Sequence, residues 1–453
     1  MPTILESYES KHARSRALFQ SALEVFPGGV THDTRHATPF PIFVERASGC
    51  RKWDVDGNEI IDYVSGHGAL LLGHSHPLIV AAVRDQVEMG THFGASHELE
   101  VQWARLVQRL IPSAERVRFT NSGTEAVQMA VRLARACTGK DKLLKFENHF
   151  HGWSDTVTGT IAPGAEYPRS AGVPQLALAQ QVILPPNDAV AVERTLAERG
   201  DIAAVIIEPT GAHMGKVPVE AEFLHDLRGL CTRTGVLLIF DEVVTGFRAS
   251  PGGVQALQNV MPDMTTLAKI LAGGLPGGAV VGREAILNRI AHSTDPEWNQ
   301  IERVEHPGTF NANPLSAAAG CACLGIVEAG EANTAANDAA RALAAGMNRV
   351  ITETGVRGCV YGAATILHVL LGEDCLPPDD GITWRWMDRA RRFVPHMAPQ
   401  STVALKRGLI NEGVDLMSDG RLIVGAAHSD RDVELTLASF GRALTQMQSE
   451  GII

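Results

Sequence analysis

The sequence predicts an α/β fold whose central sheet is mostly parallel. Beyond about residue 76, short apolar runs typical of buried strands alternate with helical segments. Such alternation indicates parallel strands joined by helical crossovers that cover the sheet. After about residue 315 the pattern changes to long Ala-rich helices, which indicates a second, smaller domain. The strand-like runs are VRFTNSG, KLLKFE, VILP, AAVIIEP, VLLIFDE and AVVGR.

The N-terminal part of the chain is predicted to be a helical arm followed by a small β-meander. Apolar residues recur at helical spacing over residues 5–26 and stop at Pro27. The runs FPIFVERASG and RKWDVDGNEIIDYVSG are typical of strands, and Asp56 and Gly57 supply a turn within them.

The C-terminal part is predicted to be mainly helical, with helices at 315–330 and 333–353 and one from Asp430 onward. Residues 372–400, rich in Pro, form a long excursion without predictable structure. We therefore divide the chain into an arm and meander at 1–70, a large domain at 71–315 and a C-terminal small domain at 316–453.

Composition excludes several classes of protein. The 453-residue chain has a formal net charge of −11, and its Lys and Arg residues are scattered. A partner such as nucleic acid or an anionic membrane would need a basic patch, so a small-molecule partner is favoured. The seven cysteines include no CxxC pair, so neither a disulfide framework nor a metal site is expected. Without a signal-like or membrane-spanning apolar run, we expect a cytoplasmic protein.

Two charged residues stand where chemistry is expected. Asp241 ends the buried run VLLIFD, and open α/β sheets hold ligands at the carboxyl ends of their strands. Lys269 is the only cation in the apolar run TTLAKILAGGLPGG, where burial would lower its pKa as a nucleophilic amine requires. Taken singly, a helix cap and a lysine on an amphipathic helix are the simpler explanations. The glycine pairs after Lys269 favour chemistry, because they allow close approach to a flat group.

A third element completes a possible cofactor site. In RFTNSGTEAVQMAVRLAR a strand is followed by a small polar turn and a helix, so Ser122, Gly123 and Thr124 offer N–H groups and hydroxyls to a phosphate. Such a segment is also an ordinary helix start. Together, the phosphate cradle, the strand-end acid and the lysine are the parts that a pyridoxal 5′-phosphate (PLP) site needs.

Two further residues fit such a site. Phe150, in NHFHGWSD, offers a ring that can stack on a pyridine, and Thr309, in HPGTFNANP, lies in a polar turn where it can bind a phosphate. Core packing is the alternative for Phe150, and helix capping is the alternative for Thr309.

These motifs resemble the class III aminotransferases of PLP fold type I and, within them, the glutamate-1-semialdehyde 2,1-aminomutase branch. The resemblance runs from about Pro27 to the end of the chain. It implies a small α+β domain built from both chain ends, and a homodimer with shared active sites in which Thr309 reaches the neighbouring subunit's phosphate. The matching motifs are PGGV, WDVDGNEIIDYV, GHSHP, RFTNSGTEA, HGW, IIEP, DEVVTGFR, TTLAKILAGGLPGG and GTFNANP.

The resemblance also implies roles for single residues. Lys269 would bind the PLP aldehyde and move the substrate's α-proton, while Asp241 would keep the ring nitrogen protonated. The ring would lie between Val243 and Phe150, and Glu208 would support the cofactor's hydroxyl side. The cofactor-binding residues are then Ser122, Gly123, Thr124, Phe150, His151, Glu208, Asp241, Val243, Lys269 and Thr309.

Substrate-binding candidates are fewer. Arg35, in VTHDTRHA, matches the arginine with which this branch grips a substrate carboxylate, and Arg421 is a second candidate that is equally well explained as a surface residue. Two positions depart from the aminomutase pattern. His67, in SGHGA, stands where aminomutases carry a GTWGP-like segment, and Gly420 aligns with the glutamate that handles the second amino group.

These departures favour transfer between molecules over aminomutation. We expect an aminotransferase that moves an amino group from an amino acid, such as the aromatic D-phenylglycine, to a 2-oxo acid such as 2-oxoglutarate. GHGAL, the length and the late insertion resemble D-phenylglycine aminotransferases, while GTFN resembles β-phenylalanine aminotransferases. The alternatives are therefore β-phenylalanine aminotransfer and glutamate-1-semialdehyde aminomutation.

Two functions of other classes fit less well. A nicotinamide-dependent dehydrogenase would need GxGxxG directly after an early strand, and the chain has none there. A non-catalytic scaffold of the same fold would require loss of the lysine or the acid, and both Lys269 and Asp241 are present.

Overall fold

The structure is a computed structural model that describes residues 2–159, 170–375 and 397–453. The chain forms two compact units. The central unit is Pro77–Gly330, and the terminal unit contains the described residues on either side of it. The structural divisions fall at 76/77 and 330/331, and the sequence-based divisions at 70/71 and 315/316 stay a prediction. Most of the excursion expected at 372–400 lies outside the described residues.

Strands and helices alternate through most of the chain. The strands are β1 (Val44–Ser48), β2 (Arg51–Asp54), β3 (Glu59–Asp62), β4 (Arg116–Thr120), β5 (Lys142–Phe146), β6 (Gln181–Leu184), β7 (Ile202–Ile207), β8 (Val217–Pro218), β9 (Leu237–Asp241), β10 (Met264–Ala268), β11 (Gly278–Gly282), β12 (Gly358–Ala363), β13 (Ile366–Leu371), β14 (Val414–Asp415) and β15 (Arg421–Ile423). The helices are α1 (Ile4–Lys11), α2 (Ala13–Val25), α3 (Ser65–Gly68), α4 (Pro77–Met89), α5 (Glu98–Leu110), α6 (Gly123–Thr138), α7 (Gln175–Leu178), α8 (Ala189–Glu198), α9 (Ala212–Gly215), α10 (Ala221–Thr234), α11 (Gly253–Gln258), α12 (Glu284–Leu287), α13 (Pro314–Val327), α14 (Glu331–Thr354), α15 (Pro399–Asn411) and α16 (Asp430–Ser449). Short 3-10 or π turns lie at Pro27–Gly29, Asp33–Arg35, Lys269–Ala272, Asn288–Ile290 and Trp298–Glu302.

The central unit is built on one sheet in the order β4-β11-β10-β9-β7-β5-β6. Strand β11 runs antiparallel to both of its neighbours, and the other strand pairs are parallel. Every residue of β7 is buried, as expected for a parallel strand covered on both faces. The predicted fold class, a mostly parallel α/β sheet, is thus confirmed.

One strand of this sheet, β10, was not among the predicted runs. It pairs with β9 on one side and β11 on the other, and it ends directly before Lys269. Its sequence, MTTLA, contains two threonines, so it was not recognised as an apolar run. The strand is nevertheless buried throughout. Thr265 and Thr266 fit there because their hydroxyls bond to Ser113 and Asp241.

The terminal unit contains two smaller sheets, in the orders β1-β2-β3-β14 and β12-β13-β15. Only the β3–β14 pair is parallel, and β14 adds residues far along the chain to the N-terminal meander. Helices α14, α15 and α16 pack together, and their apolar faces share one core with β12 and β13. The predicted arm is two helices rather than one, because the backbone leaves the helical conformation at His12.

The terminal unit also contains a disulfide bond, between Cys359 and Cys375. The sequence led us to expect no disulfide framework, because the seven cysteines are an odd number and include no CxxC pair. The hairpin β12–β13 explains the pairing. Cys359 lies opposite Leu370, so the chain leaving the hairpin brings Cys375 back to within a Cα–Cα distance of 5.8 Å.

Across the described parts of the chain, no helix taken singly is long and apolar enough to cross a membrane. Only the bent pair α13 and α14, taken together, meets the requirement of length and composition.

Candidate active site

The predicted cofactor residues gather at one edge of the central sheet. Strands β4 and β10 are both antiparallel to β11, so they run in the same direction as each other, and β9, β7 and β5 share that direction. The carboxyl ends of these strands therefore meet at one edge, where open α/β sheets bind ligands. At or just after those ends lie Ser122, Gly123, Thr124, Phe150, His151, Glu208, Asp241 and Lys269.

Lys269 occupies a conformation that side chains seldom adopt. It follows β10 directly, opens a 3-10 turn and has a φ of 56°. A residue other than glycine in the left-handed region is costly unless the surroundings impose it, and such residues cluster at functional sites. The partly buried amine is therefore held at the sheet edge by the backbone as well as by packing.

The glycine pairs after Lys269 serve a different purpose from the one expected. We expected them to admit a flat ligand. A Cβ on Gly278 would lie 2.4 Å from the carbonyl oxygen of Ser122, and one on Gly273 would lie 2.7 Å from that of Ala319. They allow backbone to approach backbone, and at Gly278 this lets β11 lie against the start of α6.

Asp241 is held by three donors. Its Oδ1 accepts hydrogen bonds from the Thr266 hydroxyl at 3.1 Å and the Val243 N–H at 3.2 Å. Its Oδ2 accepts one from His151 Nδ1 at 2.7 Å. Thr266 lies directly opposite Asp241 in the parallel β9–β10 pair. The carboxylate is 6 % exposed and its orientation is fixed before any ligand binds.

His151 is neutral in this arrangement. Burial lowers its pKa below the ordinary histidine value, and this outweighs the opposing effect of its hydrogen bond to Asp241. Since a carboxylate only accepts, the proton lies on Nδ1, and the contact is a hydrogen bond rather than an ion pair. Nε2 is buried and has no hydrogen-bond partner among the described residues. His151 therefore does not act as a cationic partner of Asp241.

A second carboxylate, Glu208, holds the loop that carries Phe150. Its Oε1 accepts a hydrogen bond from the Phe150 N–H at 2.6 Å, and its own N–H donates to His149 Nδ1 at 3.0 Å. These two bonds tie the segment after β5 to the end of β7. Phe150 is 53 % exposed, so its side chain is accessible to a ligand.

The N-terminus of α6 has the geometry that binding of a phosphate requires. Ser122 caps the helix by accepting from the Glu125 N–H at 3.2 Å. The first helical bond runs from Ala126 N to Ser122 O, so within the described residues the N–H groups of Gly123 and Thr124 are left for a ligand. A Cβ on Gly123 would lie 2.8 Å from Val243, which explains why glycine stands beside that residue.

Thr309 lies on an exposed loop of the same unit. The loop is tied to the start of α6 by a hydrogen bond from Asn121 Nδ2 to Asn311 Oδ1 at 3.1 Å. The Thr309 carbonyl also bonds to His92 Nε2 at 2.6 Å. That Thr309 serves a neighbouring subunit's phosphate stays a prediction.

Comparison with known proteins assigns the family. Residues 33–370 match the model of the family Aminotransferase class-III. The chain belongs to the class-III aminotransferases. It is accordingly a PLP-dependent enzyme, and fold type I describes its α/β sheet.

Class-III relatives include both aminomutases and aminotransferases. The glutamate-1-semialdehyde 2,1-aminomutase of Ignicoccus hospitalis is 44% identical over 73% of this chain and 78% of its own length. The glutamate-1-semialdehyde 2,1-aminomutase of Syntrophomonas wolfei is 38% identical over 96% of this chain and 99% of its own length. A solved ω-transaminase from Sphaerobacter thermophilus is 33% identical, with a TM-score of 0.86 over 96% of this chain and 98% of its own.

The residues at the sheet edge fit PLP. A lysine amine, a buried carboxylate and unused helix N–H groups match the cofactor's aldehyde, ring nitrogen and phosphate. When bound, PLP supplies an electron sink for the carbanion left by the substrate's α-proton. In that arrangement Asp241 would hold a negative charge at the ring nitrogen, the N-terminus of α6 would bind the phosphate, and Lys269 Nζ would accept and return a proton.

The predicted substrate residues lie in the terminal unit. Arg35 ends the turn Asp33–Arg35, and His67 lies on α3. The structure brings these two segments together, because the His67 ring stacks on that of His32. Arg421 lies on β15, where its Nε donates to Asp419 at 2.8 Å, and it is 7 % exposed rather than a surface residue.

Three site residues escaped the sequence analysis. Thr266 orients Asp241, His149 positions Glu208, and His32 contacts His67. A strand assignment for MTTLA would have placed Thr266 opposite Asp241. No local pattern would have found the contact between His32 and His67, since it joins residues far apart in sequence.

Proposed function

We propose that the chain transfers an amino group between two molecules, from an amino acid to a 2-oxo acid such as 2-oxoglutarate. The observation that carries the proposal is the conformation at Gly420, the position at which the resemblance places the aminomutase glutamate. An aminomutase must retain an intermediate with two amino groups, and a desolvated ammonium needs an anion beside it.

The backbone disfavours a glutamate at this position. Gly420 has a φ of 86°, which disfavours any side chain, and a Cβ there would lie 2.8 Å from Met397 and 3.3 Å from the Val369 carbonyl oxygen. The charges on either side, Asp419 and Arg421, neutralise each other in an ion pair. This segment therefore supplies no unpaired anion for a second ammonium.

Glutamate-1-semialdehyde aminomutation is the second candidate, and the curated relatives favour it over our expectation. Those described above carry that name at 38% and 44% identity over most of their length. Solved structures favour transfer between molecules. The ω-transaminase is 33% identical, whereas the aminomutase from Pseudomonas aeruginosa is 25% identical at the same TM-score of 0.86.

The donor class is a finer part of the proposal. A β-phenylalanine aminotransferase from Variovorax paradoxus is 27% identical, with a TM-score of 0.84 over 99% of this chain and 98% of its own. We include an aryl amino acid among the donors, D-phenylglycine or β-phenylalanine, with Arg35 binding its carboxylate in two parallel hydrogen bonds.

The proposed enzyme is a homodimer with shared active sites. Helix α4 and the segment after it expose several apolar side chains on a single chain. Large exposed apolar side chains close together indicate a surface that another protein covers, and a second copy is the usual partner. The exposed residues are Leu78, Val80, Val87, Met89 and Phe93.

An amino-donor panel tests the proposal. The holoenzyme is incubated with 2-oxoglutarate and, separately, with both enantiomers of phenylglycine, β-phenylalanine or L-alanine, and the glutamate formed is measured. We expect glutamate from at least one donor and little 5-aminolevulinate from glutamate-1-semialdehyde. Efficient 5-aminolevulinate formation, with no transfer to 2-oxoglutarate from any donor, would establish the aminomutase instead.

A further inference from the structure

Next to the predicted carboxylate-binding arginine lies a stacked pair of imidazoles. The rings of His32 and His67 have centroids 5.0 Å apart and planes inclined by 16°. Of these two histidines, only His67 was predicted from the sequence to bind substrate. Two flat rings in offset contact present a larger π surface than either ring alone.

His32 and Arg35 belong to one tight turn, joined by a backbone hydrogen bond. His32 caps the 3-10 turn Asp33–Arg35, and its carbonyl accepts from the Arg35 N–H at 2.9 Å. The Arg35 guanidinium donates from Nη1 to the Thr31 hydroxyl oxygen at 2.9 Å, which holds it at the residue next to His32.

Both partners of the stack are held in place. The Nδ1 atom of His32 lies 3.2 Å from the Thr34 N–H and 2.9 Å from the Thr34 hydroxyl. His67 stands in a run of left-handed residues, with φ values of 47° at Ser65, 59° at Gly66 and 56° at His67. Such a run persists only where the surroundings impose it, and it is a feature of functional sites.

The start of the left-handed run is fixed by a buried ionic cluster. Asp62, 3 % exposed, accepts from the N–H groups of Val64 and Ser65 at 3.0 and 3.2 Å. Its carboxylate is in turn held by Lys52 at 2.9 Å and by His74 at 2.7 Å. The turn that carries His67 is thus fixed to the sheet β1-β2-β3-β14 and not left as an open loop.

We infer that the His32–His67 pair selects the substrate, and that the class it selects is an amino acid whose side chain carries an aryl ring. The carboxylate binds Arg35, and the aryl ring lies against the imidazole pair. This inference rests on the proposed function, because it takes Arg35 as the carboxylate-binding residue. His32 acts by contact with the non-reacting part of the substrate, and no bond is made or broken there.

Substitutions at His32 test the inference on the holoenzyme. His32→Leu removes the π surface and keeps apolar bulk, while His32→Phe restores an aromatic ring. Aromatic pairs contribute enough for about a three- to tenfold effect. We expect His32→Leu to raise KM by that factor for phenylglycine or β-phenylalanine, with kcat nearly unchanged, and to leave KM for alanine unchanged. His32→Phe should restore the KM for the aryl donors.

The binding of unreactive carboxylates tests the same contact without turnover. Titration calorimetry with the unreactive phenylacetate and cyclohexylacetate separates a π contact from apolar burial. We expect His32→Leu to weaken phenylacetate binding three- to tenfold and cyclohexylacetate binding much less. Equal losses for both ligands, or for aryl and aliphatic donors, would overturn the inference.

The outcome also separates this inference from the proposed function. If the wild-type enzyme transfers amino groups from aliphatic donors only, the proposed function stands and the inference is wrong. If it transfers from no donor and only isomerises glutamate-1-semialdehyde, the proposed function itself is wrong.

Discussion

In the central unit, the candidate site residues follow the carboxyl ends of parallel strands, whereas in the terminal unit Arg35 and His67 lie on turns held by side-chain interactions. The first arrangement uses the regular geometry of a sheet, so strand direction alone brings Asp241 and Lys269 to one edge. The second depends on a buried cluster of charges around Asp62. The first set of positions therefore follows from the sheet itself, whereas the second depends on particular side-chain contacts.

This difference between the two units predicts that substitutions in them have different consequences. Substitutions at the sheet edge should remove chemistry without unfolding the chain. Substitutions in the terminal unit should change stability or substrate affinity while leaving the bound cofactor intact.

The largest effect is expected at Asp241. Asp241→Asn keeps the side-chain volume but removes the charge that holds the ring nitrogen protonated. Loss of one preorganised electrostatic group costs a factor of about 10² to 10³, so the half-reaction rate with a donor should fall by at least that much. Stopped-flow absorbance of the holoenzyme measures the rate, and circular dichroism checks the fold.

Asp201→Asn is the matched control for Asp241→Asn, since Asp201 is an exposed aspartate of the same unit, paired with Arg199. It should leave the rate unchanged. Near-normal turnover of Asp241→Asn would show that another acid faces the ring nitrogen.

The next effect concerns the stability of the terminal unit. Lys52, 8 % exposed, bonds to Asp62 at 2.9 Å and Asp415 at 2.5 Å. Lys52→Met leaves two buried carboxylates without that cation, and removal of one partner of a buried pair costs about 3–5 kcal/mol. Urea unfolding measures the loss. Arg442→Met, which breaks an exposed pair with Glu412, is the control and should cost at most about 1 kcal/mol.

The same cluster makes stability depend on pH. Burial opposes the ionisation of Asp62 and Asp415, but their lysine partners still bring both pKa values below the ordinary aspartate value. Their stabilisation is therefore present above the unfolded pKa of about 4 and is lost as the pH falls below it. Urea midpoints should decline below about pH 4, and more steeply in wild type than in Lys52→Met.

The smallest effect is expected at Arg35, where only substrate binding should change. Hydrogen bonds to charged groups contribute about 1.5–3 kcal/mol, so Arg35→Ala should raise KM for carboxylate donors about ten- to hundredfold. PLP affinity should stay unchanged. Arg341→Ala, an exposed arginine of the same unit paired with Asp338, serves as the control. A parallel loss of PLP affinity would contradict the division of roles between the units.

The sequence predicted the sheet-edge site better than the turns, for a physical reason. Asp241, Ser122 and Glu208 follow apolar strands, and strand direction converts that local pattern into a shared position. The search for apolar runs failed at β10, because its two threonines interrupt the apolar pattern. This strand ends directly before Lys269. The contact between His32 and His67 depends on the ionic cluster around Asp62. Within that cluster, Lys52 is paired with Asp415, which lies 363 residues away in the sequence.

Borohydride reduction of the holoenzyme tests the central claim most directly, namely that Lys269 at the carboxyl edge of the sheet carries PLP. The reduced protein is digested, and the cofactor-bearing peptide is identified by mass spectrometry. Lys145 is the informative alternative, because it is a buried lysine of the same sheet, on β5, and its Nζ bonds to the Gly159 carbonyl oxygen at 2.8 Å. The account predicts the added mass on the peptide containing Lys269, and none once Lys269 is replaced by Ala. Added mass on Lys145, or on any other lysine of the wild-type protein, would contradict it.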